Sequence, residues 1–166
     1  MTELTFSLCV LTAAACIGGF LFGYDTGIVS GAMVYIVSEY KLSDFWHELI
    51  VSSTIGAAAV FAVFGGISSD LIGRRPTIII ASILFVAGSV FLSAAQGKWT
   101  LLVGRLIVGA GIGTSSMCNP IYLSEMAPVS MRGLLVALNN YFVILGQLFA
   151  NVIAGFLSYY ETNGWR

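Results

Sequence analysis

Phe20-Leu-Phe-Gly-Tyr24-Asp25-Thr26-Gly27-Ile-Val-Ser-Gly31-Ala-Met33 sets a single carboxylate inside an apolar run that extends from about residue 6 to residue 37. A hydrocarbon core about 30 Å thick needs about 20 apolar residues per helix, so the run is long enough to cross a bilayer. An Asp near the bilayer centre costs roughly 2.5–3.5 kcal/mol on insertion scales, and such acids pair with a base or serve a function. The run is not read as a cleaved leader. Met1-Thr-Glu-Leu carries no basic residue, and the apolar stretch is too long for a signal core.

Composition extends the membrane reading to the whole chain. Hydrophobic residues make up 58% and charged residues 9% of the 166, against roughly 25% charged in a soluble domain. A net charge of −1 offers no footprint for nucleic acid. Cys9, Cys16 and Cys118 lie in apolar stretches without CxxC spacing and read as small apolar side chains, not as disulfide or metal ligands. The same 20-residue ruler gives five spans, about 6–36, 48–69, 76–95, 99–124 and 133–158. The predicted fold is therefore an all-α membrane bundle.

The charges gather in the breaks. Glu39, Lys41 and Asp44 separate spans one and two; Asp70, Arg74, Arg75 and Pro76 separate two and three. Lys98 lies in the third break, and Glu125, Pro128 and Arg132 in the fourth. The arginines of the second and fourth breaks place those ends, and the N-terminus, in the cytoplasm. Trp46, Trp99 and Trp165 then fall at outer ends, as an aromatic belt requires. Gly56-Ala-Ala-Ala59, Gly65-Gly66 and Gly104, Gly109, Gly111 and Gly113 mark faces where helices approach closely in lipid. Gly109-Ala-Gly-Ile-Gly113 is not a nucleotide-binding loop: it follows no strand and lacks the GxGxxG spacing.

Arg105 is the one strong cation inside a span. It lies about six residues, or about 9 Å, from the outer end at Trp99, and Asp25 lies at a compatible depth. Intramembrane acids and bases pair, so Asp25 and Arg105 are expected to face each other. Burial favours the neutral acid and a neighbouring cation favours the carboxylate. A carboxylate balanced between them can load and release a proton. A static ion pair joining two helices is the alternative, against which Gly23 and Gly27 read as loosening the backbone beside Asp25.

Two further motifs lie at the cytoplasmic end. Gly66-Ile-Ser-Ser-Asp70-Leu-Ile-Gly73-Arg74-Arg75 and Pro120-Ile-Tyr122-Leu-Ser-Glu125-Met-Ala-Pro128-Val-Ser-Met-Arg132-Gly133 place acids beside bases at helix ends. Asp70, Arg74, Arg75, Glu125 and Arg132 are thus expected to form a charge network that latches one conformation.

These motifs carry a resemblance. GxxxDxxGRR at 66–75 and GRLIVGAGIG at 104–113 with NPIYLSEMAPVSMRG at 119–133 resemble the sugar-porter branch of the major facilitator superfamily. FGYDTGIVSGAM at 22–33, ELIVSSTIGAAAV at 48–60 and GQLFANVIAGFLSY at 146–159 are similar to proton–myo-inositol cotransporters within it. The resemblance implies that Asp25, where facilitative hexose carriers have Asn, accepts the proton with Arg105 as partner. It implies that the network holds the outward-facing state. It also implies a polyol-binding face on the fifth span at Asn140, where the family's sugar carriers have Gln, with Gln147 and Asn151. Amides in an apolar helix are costly unless they face a polar cavity.

The resemblance further implies twelve spans in two halves, with substrate held between them. The chain at 1–166 is then expected to be part of an N-terminal six-helix half: a fragment, an isoform or an incomplete sequence. The expected activity is proton-coupled symport of myo-inositol or a related polyol or sugar, in the plasma membrane, with the C-terminal half needed for transport. Proton-independent hexose transport, and a non-transporting half that modulates a full-length carrier, are the alternatives. No Ser/His/Asp or Cys/His set shares a compartment, so an enzyme is not expected, and no cofactor is called for. His47, the sole histidine, reads as a surface cap residue beside Glu48.

Overall fold

A computed structural model describes residues 6–40, 43–95 and 97–157. Five helices account for nearly all of them: α1 Phe6–Tyr40, α2 Asp44–Leu71, α3 Arg74–Ser93, α4 Lys98–Met126 and α5 Arg132–Leu157. All five are long and apolar enough to cross a membrane, and no strand occurs among the described residues. The five expected spans are the five helices, each within a few residues of its expected ends. Lys41, Trp165 and the last residue of the fifth expected span lie outside the described residues.

The turns follow from their residues. Gly73, at φ 103°, adopts a backbone conformation that side-chain-bearing residues rarely enter. It reverses the chain within two residues of the end of α2, so Asp70 and Arg74 face each other across the turn. Pro128 closes α4 from beyond its end, its carbonyl accepting the N–H groups of Met131 and Arg132 at 2.8 and 3.2 Å. Ser43 caps the start of α2, and His47 lies a turn inside it. That corrects the cap role expected of His47. The backbone at 47 donates to the Ser43 carbonyl at 3.0 Å.

Helix α4 is the centre of the bundle, with α2 and α3 packed along it and α1 paired with α5. Lipid supplies no hydrophobic drive between helices, so small residues decide which faces meet. On α4, a Cβ at Gly109 would lie 2.9 Å from Ala57, and one at Gly111 2.9 Å from the Ala81 carbonyl. The α1–α5 seam uses the same device. A Cβ at Gly27 would stand 2.7 Å from that of Ala150, and one at Gly23 would collide with the Val143 carbonyl. Gly23 and Gly27 therefore do not loosen the backbone beside Asp25, as expected from sequence; they let α5 press against it. Gly56, by contrast, faces open space.

The outward faces carry Ile79, Ile83, Val86 and Val90 on α3 and Val60, Phe64 and Ile67 on α2, all exposed. Such apolar faces suit acyl chains or further apolar helices. One end of the bundle gathers Arg74, Arg75 and Arg132. At the other, the rings of Trp46 and Trp99 meet edge to face at 4.9 Å, with the Lys98 ammonium 4.6 Å over Trp46. A cluster of Met33, Ile50, Ala95 and Leu101 fills the tryptophan end, and one of Leu8, Ala127 and Leu135 the arginine end.

Candidate functional site

Asp25 sits midway along α1 because an apolar run carries it there, and the Gly23–Gly27 seam fixes which way its turn faces. Arg105 lies in the outer part of α4, whose small residues let α2 and α3 close around it. The two helices bring the side chains together: Arg105 Nη1 lies 3.3 Å from Asp25 Oδ1 and 3.4 Å from Oδ2. Both side chains are nearly buried, 7% exposed for Arg105 and 12% for Asp25. The pairing expected from depth is thus present. Its contacts are longer than the 2.7–2.9 Å usual for charged N–H···O bonds, and one nitrogen is shared between two oxygens.

Asp25 opens on a cavity of about 430 Å3 between α1, α2 and α4. Phe22, Val29, Val51 and Ile55 make most of its wall apolar, while Thr26, Thr54 and Ser116 add hydroxyls. Thr54 Oγ1 is buried without a hydrogen-bond partner. Sequence reading missed Thr54, which looks unremarkable in the run Ser52-Ser53-Thr54. A polar atom left unpaired beside an ion pair suits a site that water can enter.

The expected amide face of α5 is present in part. Asn140, Gln147 and Asn151 are all exposed. Asn151 Oδ1 accepts from the Ser30 hydroxyl at 3.4 Å, so this edge of α5 borders the α1 turn that follows Asp25. Asn140 lines a smaller pocket toward the arginine end, with Asn119 and Asn139. Those two buried asparagines were not singled out from sequence. Asn119 precedes Pro120 and Asn139 adjoins Asn140, and an amide deep in an apolar span was the available signal.

At the arginine end, Arg74 joins two elements. Its guanidinium grips Glu125 of α4 at 3.0 and 3.3 Å with two nitrogens, reaches Asp70 of α2 at 2.8 Å and donates to the Ser69 hydroxyl. Arg75 and Arg132 were expected in this network but turn elsewhere. Arg75 Nε donates to the Tyr122 hydroxyl at 2.6 Å, and Arg132 Nε to the Ala127 carbonyl at 3.1 Å. The last turn of α4 leaves carbonyls without helical donors, and Arg132 satisfies one of them. Cys16 and Cys118 are buried, and all three cysteines are free.

Residues 11–166 match the family described as Sugar (and other) transporter. A proton myo-inositol cotransporter of Homo sapiens is 52% identical over 157 residues, covering 95% of this chain and 24% of that protein. One of Caenorhabditis elegans is 46% identical over 169 residues, covering 99% of this chain and 28% of that protein. The chain thus spans about a quarter of the length of these curated relatives. Among solved structures, the inward-open xylose transporter of E. coli superposes with a TM-score of 0.80 at 29% identity, covering 95% of this chain and 43% of that one. A structure of the major-facilitator proton:xylose symporter gives 0.83 at 28% identity, covering 95% and 39%. The five helices are long and apolar enough for a multi-pass membrane protein, and the chain belongs to the sugar transporter family.

Proposed function

We propose that these helices are part of a secondary transporter that couples inward proton movement to uptake of myo-inositol, or of a related cyclic polyol or sugar. The observation that carries the reading is the loosely held, nearly buried Asp25–Arg105 pair beside a cavity. It occurs in a chain 52% identical to a proton myo-inositol cotransporter. A pair built only to join helices gains most from short, saturated contacts. This one is long and faces space that water can fill.

In this reading, protonation of Asp25 removes its charge and frees α1 from Arg105, and loss of the proton restores the pair. The amides at Asn140, Gln147 and Asn151 offer both donors and acceptors, the complement of a ring of hydroxyls. Arg74, Asp70 and Glu125 tie α2, α3 and α4 together in one conformation and part in the other, while Arg75 and Arg132 steady the same helix ends. One proton crossing 100 mV with a one-unit pH gradient supplies about 2.3 plus 1.4, or about 3.7 kcal/mol, more than two decades of accumulation. Transport is proposed to need the further length that the relatives carry.

The test is uptake of labelled myo-inositol by cells or vesicles expressing the full-length protein. Asp25→Asn keeps the shape but cannot cycle a proton. The expected result is that accumulation above equilibrium and its acid stimulation are both lost. Accumulation that persists in the variant with its pH dependence intact would end the proposal.

A further inference from the structure

We propose that the small pocket between α1, α4 and α5 is a hydration chamber, whose few ordered waters carry the Asp25 proton toward the arginine end. This rests on the proton-coupling reading and deepens it by naming the exit.

The chamber is lined by Ser115, Ser116 and Asn119 of α4 and Asn139 and Asn140 of α5, over Gly18 and Gly19 of α1, and holds about 80 Å3. A water needs about 10–15 Å3 of such space, so several fit, whereas a six-carbon polyol ring does not. Asn139 is 7% exposed, and its Oδ1 has no hydrogen-bond partner. Pro120 has no N–H, so the Ser116 carbonyl four residues earlier loses its helical donor. The hydroxyls of Ser115 and Ser116 give their hydrogens to the Ile112 and Gly113 carbonyls, each at 3.0 Å, leaving oxygen lone pairs as acceptors. Water, with two hydrogens to donate, is the complement of these walls. The glycines keep the room open. A Cβ at Gly19 would stand 2.7 Å from Asn139 Oδ1, and one at Gly18 3.1 Å from Asn119 Nδ2.

The chamber adjoins the proton site. Phe22 and Ser116 line both it and the Asp25 cavity. Gly18 lies seven residues below Asp25 on α1, about 10 Å at 1.5 Å per residue, which three or four waters spaced about 2.8 Å apart span. The charged group facing Asp25 is Arg105 of α4; the α1 and α2 residues lining the cavity are uncharged apart from Asp25 itself. Tyr24 is the adjoining phenol on α1, and α5 carries no charge between 133 and 157. A release step therefore runs through water. The Asp25 carboxyl gives its proton to a first water, the charge passes along the file by successive O–H transfers, and the carboxylate left behind returns to Arg105. The Phe22 ring is the apolar stretch between the two wet compartments.

Gradient-driven uptake needs proton release at every turnover, whereas exchange of labelled for unlabelled substrate by the loaded carrier does not. In the full-length protein, Asn139→Leu fills the chamber with an apolar side chain. We expect it to slow gradient-driven uptake about tenfold, and exchange less than about twofold. Asn139→Ser removes the amide but keeps a wet pocket, and should rescue uptake. Ser115→Val, on the α4 wall and outside the Asp25 cavity, should reproduce the split, so a folding failure in one variant leaves the test standing. Equal loss of uptake and exchange in both blocking variants, uptake unchanged in both, no rescue by serine, or a dry chamber in a high-resolution map would each overturn the inference. Asp25→Asn is the separate control. If that variant still accumulates substrate on a proton gradient, the coupling reading fails first, whatever the chamber does.

Discussion

Arg74 holds Glu125 and Asp70 at 2.8–3.3 Å in side chains 22%, 48% and 70% exposed, while Arg105, nearly buried, stands 3.3 Å from Asp25. The contact that water could replace is the tight one, and the contact deep in the bundle is the loose one. Exposed ion pairs contribute about 0–1 kcal/mol, so tight geometry there holds a helix end in place without making it hard to open. A buried pair repays its desolvation only when its geometry is good and its remaining donors are bonded. The long, shared contact at Asp25 leaves that repayment incomplete, which fits a group that changes charge. In the proposed reading, the arginine end is the latch and the middle of the bundle the switch.

The largest effect should come from leaving one buried charge alone. Arg105→Leu should lower stability by about 3–5 kcal/mol, because Asp25 is then buried without its partner. The midpoint of thermal unfolding in detergent measures it. Replacing both partners sharpens the contrast. Asp25→Leu with Arg105→Leu should regain most of that loss, since apolar pairs of similar volume substitute well for buried ion pairs, yet should not restore proton-driven accumulation. A double variant as unstable as the single would make the pair a structural clamp.

At the arginine end the effects should be smaller. Arg74→Ala removes the fork to Glu125 and the contact to Asp70, and a loss of stability well below that of Arg105→Leu is expected in the same thermal unfolding measurement. A cycle of single and double changes with Glu125→Gln should give a coupling energy below that between Asp25 and Arg105. The smallest change should be Arg132→Ala, which frees one α4 carbonyl to water and should move stability by about 0.5 kcal/mol. An effect of Arg132 as large as that of Arg74 would return it to the network from which its hydrogen bond separates it.

Much of this was legible in the chain. Five apolar runs of membrane length define five helices whatever their partners, and the Asp25–Arg105 pairing followed from compatible depth. What escaped depends on which neighbour approaches a given face. Gly23 and Gly27 have no side chain to announce a contact, so the press of α5 against them looked like looseness. Arg75 and Arg132 carry the right charge for the network. Yet a hydroxyl at Tyr122 and an open helix end at Ala127 lie nearer to hand than a carboxylate. Asn139 and Asn140 are adjacent in sequence but about 100° apart around the helix. Only the packing of α5 on α1 shows that Asn139 is the buried one.

Simultaneous recording of substrate entry and external pH in cells expressing the full-length protein shows whether Asp25 carries a proton with each substrate. Adding myo-inositol should make the medium more alkaline in step with uptake, and Asp25→Asn should abolish that alkalinisation while Glu125→Gln only alters its rate. Uptake without alkalinisation in the parent protein, or alkalinisation that survives Asp25→Asn, would rule out proton coupling through Asp25.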